Sequence, residues 1–540
     1  MNKIFPRAIA ACAAFAALAA CSPNNEIKIS NEHALHISIG SSPQSIDPHV
    51  ATGEPGIKIL NGLCEPLLTL NTKTYLSEPG AAESWDISED GLIYTFNIRK
   101  DARWSNGEKL TAHDFEYTWR RALLPDVGWQ YAPDYYAIQG AEDYNLGKTD
   151  DFSAVGVKAL DETTLQFTLA VPDAIFIKQL SGGTTCPVSK SELEKHGAMN
   201  DVTSRWTDAG KYVTNGPFKL IEWEINKILV AERNPYYWDN QNVKLDKVYF
   251  HPIETETSQE RAFRSGQIQV SHSGRVPAEK IASYQENSPE KIKIVKAYAT
   301  YFYLFNTTKA PFDNKDIRKA LALSIDRNAI VENITKAGEK PASSLSILNE
   351  TYHPKFNVTL YDPDQARKLL AKAGYPNGKN FPPITLIYNT AESHKKVALA
   401  IQQMWKKELG IDTLLENQEW KIFLSTRQEL HFDISRAGSS SSIADPQDFL
   451  LSYTTGHGMN DTGWSNTEYD KLIRTAAKTV DTAKRFDILA QAEQLLLEEM
   501  PLIPLYYYSD SYLVAPSVKD LDLNAIGHIN YKDIYIEKAE

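Results

Sequence analysis

Two arginines, Arg427 and Arg436, are the side chains of this sequence best suited to recognising another molecule. A planar guanidinium meets a carboxylate through two parallel hydrogen bonds, a geometry the lysine ammonium does not offer. Arg427 follows Trp420 by seven residues, two helical turns on and so on the same face, and Arg436 ends the next extended run. An ion pair with an acid of the same chain explains Arg427 as readily as a ligand does. Catalytic patterns do not accompany the arginines. The chain has no G-x-S-x-G, H-E-x-x-H, P-loop, G-x-G-x-x-G or C-x-x-C. Its 12 histidines are scattered, and neither His113 nor His394 has a second His or Cys at ligand spacing, so neither a metal site nor a cofactor is expected. Glu498 and Glu499 stand at the polar end of a helix, where a solvated face accounts for them better than acid–base chemistry. The chain reads as a binder, not an enzyme.

The elements that must position the arginines are clearest over residues 362–438. Asp362 before Pro363 predicts a helix start, and Gly374 with Pro376 predicts its end. A strand follows over 385–388, then a helix marked by Val397, Ile401, Met404 and Trp405 up to Gly410. A strand over 413–415, a short helix over 420–427 and a strand over 432–436 complete the run, which ends in a serine loop over 439–442. Strand-helix-strand-helix-strand implies a parallel, doubly wound sheet, and such sheets bind ligands beyond the carboxyl ends of their strands, where Arg436, Gly438 and the serines stand. Strand-like runs at 94–98 and 248–251 alternate elsewhere with helical ones such as 317–325, so the class is α/β. An acidic chain with 10% aromatic residues also fits an aromatic-lined cleft.

Residues 1–20 read as an export signal: Lys3 and Arg7 precede the apolar run from Ala8 to Ala20, which is too short to span a bilayer. The run closes in Leu18-Ala19-Ala20-Cys21, which resembles the bacterial lipobox, so Cys21 is expected to be the acylated first residue of the mature chain. Losing Lys3 and Arg7 takes the formal charge from −12 to −14, which argues against nucleic acid as a partner. Residues 22–34 are polar and without periodicity, as a tether would be, and a strand over 35–39 opens the ordered body. Of the remaining cysteines, Cys64 and Cys186 lie far apart in sequence.

Numerous short segments resemble one family. They include Ala82-Glu83-Ser84-Trp85, Trp104-Ser105-Asn106-Gly107, Thr111-Ala112-His113-Asp114-Phe115, Thr214-Asn215-Gly216-Pro217-Phe218, Glu232-Arg233-Asn234-Pro235, Lys309-Ala310-Pro311-Phe312, Glu416-Asn417-Gln418-Glu419-Trp420-Lys421 and Arg436-Ala437-Gly438. In number and order they resemble the extracellular solute-binding proteins of the peptide and nickel importer class, most of all its oligopeptide-binding members. The resemblance implies a three-lobed periplasmic-binding-protein-like fold of two doubly wound lobes that close on a ligand plus an added α/β lobe. It places lobe I at 30–64, 190–298 and 509–540, the added lobe II at 65–189 and lobe III at 299–508. It implies an exported monomer, lipid-anchored to a membrane in the periplasm or at the cell surface, that captures a peptide or peptide-like solute and hands it to the permease subunits of an ABC transporter. A metal complex, haem or an oligosaccharide as ligand, or a lipid-anchored hydrolase or adhesin on the same fold, are the rival readings.

Carried over by position, the family's cleft falls on Glu54 and on the run Arg436, Ala437, Gly438, Ser439 and Ser440 as a backbone rail, with Tyr131, Trp420 and His394 lining it and Arg427 also among the ligand-binding residues. Three acids of the family pattern are replaced, by Ser442, Thr52 and Leu304. Ser442 stands where an aspartate pairs with the ligand's α-amino group, and a neutral hydroxyl does not replace that charge-assisted bond. Either the ligand lacks a free amine or carries extra negative charge, or Glu54 or a shifted loop acid receives the amine. The family's disulfide positions fall on Ala299 and Ser440, while Cys64 and Cys186 fall where the chain enters and leaves the added lobe, so a replacement disulfide is expected there.

Overall fold

The computed structural model describes residues 33–272 and 275–537; the export signal, Cys21 and the tether up to residue 32 lie outside the described residues. Local chemistry sets the helix ends in the segment that reads most clearly from sequence. The Asp362 carboxylate accepts the Gln365 N–H, Pro363 opens the helix Pro363–Lys372, and Gly374 at φ +100° turns the chain out of it. Strand Ile384–Asn389 then pairs in parallel with Thr413–Gln418 on one edge and with Ile434–Ser440 on the other. Helices Glu392–Leu409 and Trp420–Gln428 make the crossovers. The last strand differs from expectation: it starts at Ile434 rather than Phe432 and continues through Ser439 and Ser440, which pair with Thr300 and Ala299. Serine is a weak strand former, and a ready-made partner strand overrides that preference.

That partner is Ile292–Phe305, which with Leu502–Val514 forms the axis of an 11-stranded sheet. Each of the two long strands contributes to both halves of the sheet. Toward one end Ile292–Phe305 pairs with Ile434–Ser440; toward the other, Leu502–Val514 pairs with Val270–Ser271, which is parallel to Ala34–Ser38, itself parallel to Lys247–His251. Antiparallel strands Ile228–Arg233 and Phe218–Glu224 finish that half. Between Lys296–Ser509 and Thr300–Tyr507 the ladder breaks, with residues 297–299 standing against Tyr508 alone. Such an insertion bends and twists a strand, and here it falls at the junction of the two halves.

The second part of Ile292–Phe305 is buried on both faces with the period of two that a strand dictates. Tyr301, Tyr303 and Phe305 enter a cluster with Ile317, Ile401 and Trp405, and Phe302 and Leu304 enter another with Phe449, Tyr469 and Leu489. Leu304, expected to line the cleft, is therefore a core residue at 1% exposure. A third lobe has its own four-stranded antiparallel sheet, Ala82–Ile87, Ile93–Ile98, Thr164–Thr168 and Val157–Ala159, and its own core of Phe96, Trp119, Leu165 and Phe167 under the helix Ala112–Ala122. The buried Arg121 of that helix forms a bidentate pair with Asp47, at 2.9 and 2.5 Å, tying the added lobe to the segment after the first strand. The fold is thus α/β and three-lobed. Among the described residues no helix is long and apolar enough to cross a membrane.

Cys64, at the end of helix Glu54–Leu63, and Cys186 are joined with their Cα atoms 6.0 Å apart. The bond links positions 122 residues apart and brackets the four-stranded lobe where the chain enters and leaves it. Closing so long a loop restricts the unfolded chain, an effect of about 2–5 kcal/mol. Cys64→Ser with Cys186→Ser is expected to lower the unfolding free energy by that amount in urea titration. Denatured, unreduced wild type should take up no thiol label at either cysteine; labelling of both would refute the bond.

Candidate functional site

The strand Ile434–Ser440 creates the site by outrunning its neighbour. Its parallel pairing with Ile384–Asn389 covers only Ile434 and Ser435, so along Ala437–Ser440 that edge has no strand beside it. Gly438 and Ser440 are exposed, whereas the Ala437 side chain is buried and offers only backbone. Unpaired N–H and C=O groups along an edge are a template for an extended chain. Gly438 is required here: a Cβ would stand 2.9 Å from the Tyr508 hydroxyl.

Arg436 leans out of the same strand over the Tyr301 ring, 5.0 Å from its centroid, and donates from Nη2 to the Tyr508 hydroxyl and from Nη1 to Asn389 Oδ1 at 3.3 Å. Its Nε has no partner. Arg427 is committed elsewhere: its Nη2 donates to Asp461 at 2.5 Å, both side chains are largely out of solvent, and the guanidinium lies over Phe423, with its Nε unpartnered among the described residues. Of the two arginines, Arg436 alone reaches the free edge. His394 is buried beside Tyr301, and burial, reinforced by Arg436 and then Arg275, holds its imidazole neutral, well below the usual histidine range.

The opposite wall comes from the helix Glu54–Leu63. Gly53 precedes it at φ +78°, and a Cβ there would meet the Trp420 ring at 2.6 Å, so the two halves of the cleft touch at a glycine. Trp420 Nε1 is buried without a partner. Thr52 is buried and donates to Gln44 Oε1 at 3.1 Å. The exposed Glu54 carboxylate accepts from Lys58 Nζ at 2.9 Å, and Lys58, with further help from Arg436 and Arg275, lowers its pKa. The sequence pointed to neither Lys58, Tyr508 nor Arg275, because each stands in a segment without pattern and gains meaning only from what lies across the cleft.

The acids at the Ser442 end sort by elimination. Asp445 caps the helix Pro446–Leu451 and is held by Arg485 in a buried bidentate pair at 2.9 and 2.6 Å. Asp134 is bonded to His457 Nε2 at 2.7 Å. Asp448 accepts the Ser442 N–H at 3.2 Å and has no ion pair among the described residues. Burial, with Asp134 next in weight, pushes the Asp448 carboxyl up to about 7. Partly buried Tyr131, whose phenol is raised by burial first, feels both Asp134 and Asp448 and so belongs to this end. Among the described residues no group of His, Cys, Asp and Glu could hold a metal ion.

Comparison with known proteins agrees with this geometry. Residues 77–461 match the family described as bacterial extracellular solute-binding proteins, family 5. The dipeptide-binding protein DppE of Bacillus subtilis is 37% identical, with 94% of this chain and 93% of the relative covered. The periplasmic oligopeptide-binding protein OppA of Salmonella typhimurium is 36% identical, with 97% and 96% covered. A structure of the murein tripeptide-binding protein MppA of Escherichia coli superposes with a TM-score of 0.89 at 32% identity, covering 94% of this chain and 99% of that one. Against the unliganded open form of MppA the TM-score falls to 0.64 at the same identity and 94% coverage of this chain. The same fold with a poorer superposition means that the lobes here are not arranged as in that open form.

The N-termini of helices Glu256–Arg264 and Glu392–Leu409 meet and cap each other. The Glu256 carboxylate accepts the Glu392 N–H at 2.8 Å and the Ser393 N–H and hydroxyl at 3.1 and 2.5 Å. In return, the Glu392 carboxylate accepts the Thr257 N–H and hydroxyl at 3.1 and 2.6 Å. Each glutamate thus supplies acceptors to the positive end of the other's helix. Glu256→Gln combined with Glu392→Gln should open the unliganded protein, seen as a larger radius of gyration in solution scattering, and weaken ligand binding about tenfold; an unchanged scattering curve would show the contacts to be idle. Asp448 gives a pH signature. Its folded value of about 7 lies above the ordinary 3.8, so the folded protein keeps a proton that the unfolded chain loses, and stability falls as pH rises from about 4 to about 7. Asp448→Asn should remove that slope, stabilising the protein at pH 8 by on the order of 1–4 kcal/mol and leaving it nearly unchanged at pH 4.

Proposed function

The chain belongs to the bacterial extracellular solute-binding proteins of family 5, and on that premise we propose that it captures a short peptide in extended form and delivers it to an ABC importer. The observation that carries the reading is the free edge Ala437–Ser440 with a cation at one end and an uncompensated carboxyl at the other. An extended peptide adds to that edge as a further strand, and its own charged termini match the two ends. In this reading Arg436, Gly438, Ser439, Ser440 and Ser442 meet the ligand along the rail, Glu54, Tyr131, Trp420 and His394 enclose it, and Arg427 braces the wall from behind.

Asp448 receives the ligand's α-amino group. The family's aspartate position is Ser442, and Asp448, one turn into the next helix, accepts the Ser442 N–H, so an acid lies beside the vacated place. An ammonium there would supply the positive charge that Asp448 lacks and draw its pKa down. This supports a ligand with a free amine over an amine-blocked one. Lobe I at 30–64, 190–298 and 509–540 and lobe III at 299–508 would move as bodies about the broken ladder at 297–299, with 65–189 carried on lobe I through Arg121 and the Cys64–Cys186 bond. Export under the signal at 1–20 and acylation of Cys21 would hold the receptor as a monomer at the membrane that carries the permease.

Calorimetric titration with trialanine and N-acetyl-trialanine tests the reading. The free amine should bind about tenfold or more tightly, the size of a hydrogen bond between charged groups, and Asp448→Asn should abolish the preference. Equal binding of the two peptides by wild type would remove Asp448 from the site, and no binding of either would remove the peptide.

A further inference from the structure

At the Arg436 end the cleft holds a second arginine that neither the family motifs nor the sequence pattern singled out. Arg275 lies over the Tyr508 ring, 4.2 Å from its centroid, and Arg436 bonds the hydroxyl of the same tyrosine, so one phenol separates two guanidinium groups. Buried polar groups are ordinarily partnered, and among the described residues Nε and Nη1 of Arg275 and Nε of Arg436 have no hydrogen-bond acceptor, while His394 Nδ1, Glu339 Oε1 and the Tyr301 and Tyr506 hydroxyls nearby are also without a partner. The nearest carboxylate to Arg275 is Asp510, at 4.0 Å, outside hydrogen-bond range, and Asp510 already accepts from the Tyr512 hydroxyl at 3.1 Å. Glu339, the next acid, takes the Ala337 N–H on Oε2 at 2.8 Å, and its Oε1 is buried without a partner and makes no hydrogen bond to Arg275. Glu54 is engaged by Lys58. The protein's own acids therefore supply negative field at this point but no acceptor to these three N–H groups.

We propose that Arg275 is a second carboxylate receptor, acting with Arg436 across Tyr508, and that the chain selects short peptides presenting a carboxylate there. The inference rests on the peptide reading above and adds a specificity to it. A carboxylate is the planar, two-oxygen acceptor that matches unpartnered guanidinium N–H groups. From Arg436 to Ser440 the rail makes four strand steps, about 13 Å. With the amine at Asp448, that span suits an extended tri- or tetrapeptide whose C-terminal carboxylate, or an acidic side chain near it, reaches the arginines.

The test titrates wild type and Arg275→Gln with trialanine and tetraalanine, their C-terminal amides, and the pair Ala-Glu-Ala and Ala-Gln-Ala. In wild type at least one acid should bind about tenfold or more tightly than its amide, and which pair does so tells the terminal carboxylate from the side-chain one. In Arg275→Gln, shown to be folded by its melting curve, that ratio should fall below about threefold; Arg275→Met gives the same reading should the glutamine variant not fold. A ratio unchanged in the variant, or no pair distinguished by wild type, overturns the second receptor and leaves the peptide reading intact. If none of the peptides binds wild type, both fall.

Discussion

Every feature of the cleft depends on two antiparallel strands, Ile292–Phe305 and Leu502–Val514, that run through both halves of one sheet. Their pairing is broken at residues 297–299 and shifts register once more between Tyr301 and Phe302. Hydrogen-bonded ladders are stiff and buried cores resist shear, so relative movement of the halves must concentrate where the ladder is absent and the extra residues can absorb it. The same strands place the functional groups: Tyr301 and Tyr508, one from each, stand under and beside Arg436. The break in the ladder and the recognition surface therefore meet at Tyr508, which stands opposite residues 297–299 and bonds Arg436.

Charge is distributed in the cleft with a consistent logic. Where rigidity is needed, arginines are closed off by acids in buried bidentate pairs, Arg121 with Asp47 and Arg485 with Asp445. Where a ligand is to be received, the compensation is incomplete among the described residues: Asp448 lacks a cation at one end of the rail, and Nε and Nη1 of Arg275 and Nε of Arg436 lack acceptors at the other. Desolvated groups left short of partners are costly to the folded protein, and a ligand that completes them recovers that cost as binding free energy. The reciprocal caps of Glu256 and Glu392 are likewise complete, since each carboxylate satisfies N–H groups that the other's helix leaves free.

Much of this was legible in the sequence because it is local. The Asp362-Pro363 start and Gly374 stop, the apolar spacing of Val397, Ile401 and Trp405, and the alternating strand-helix order fix the parallel unit without reference to distant residues. Legibility failed where a distant partner decides. Ser439 and Ser440 read as loop and are strand because Thr300 and Ala299 pair with them; Leu304 was placed in the cleft by position and is turned into the core by the alternation of its strand. Asp448, Lys58 and Arg275 carry no motif, since a charge acquires a role only from what does or does not compensate it in space.

The sequence by itself determined the α/β class and the order of elements over residues 362–438, because periodicity, capping and turn chemistry act over a few residues; the rail from Arg436 to Ser440 was an expectation of the family resemblance. Family resemblance supplied the three lobes and the pairing of Cys64 with Cys186 as expectations. Only the tertiary structure decided that Arg427 is bound to Asp461, that Asp445 is taken by Arg485 while Asp448 is left over, and that Arg275 faces Arg436 across Tyr508. The physical reason is that electrostatic compensation falls off over a few ångströms in space and is indifferent to separation along the chain.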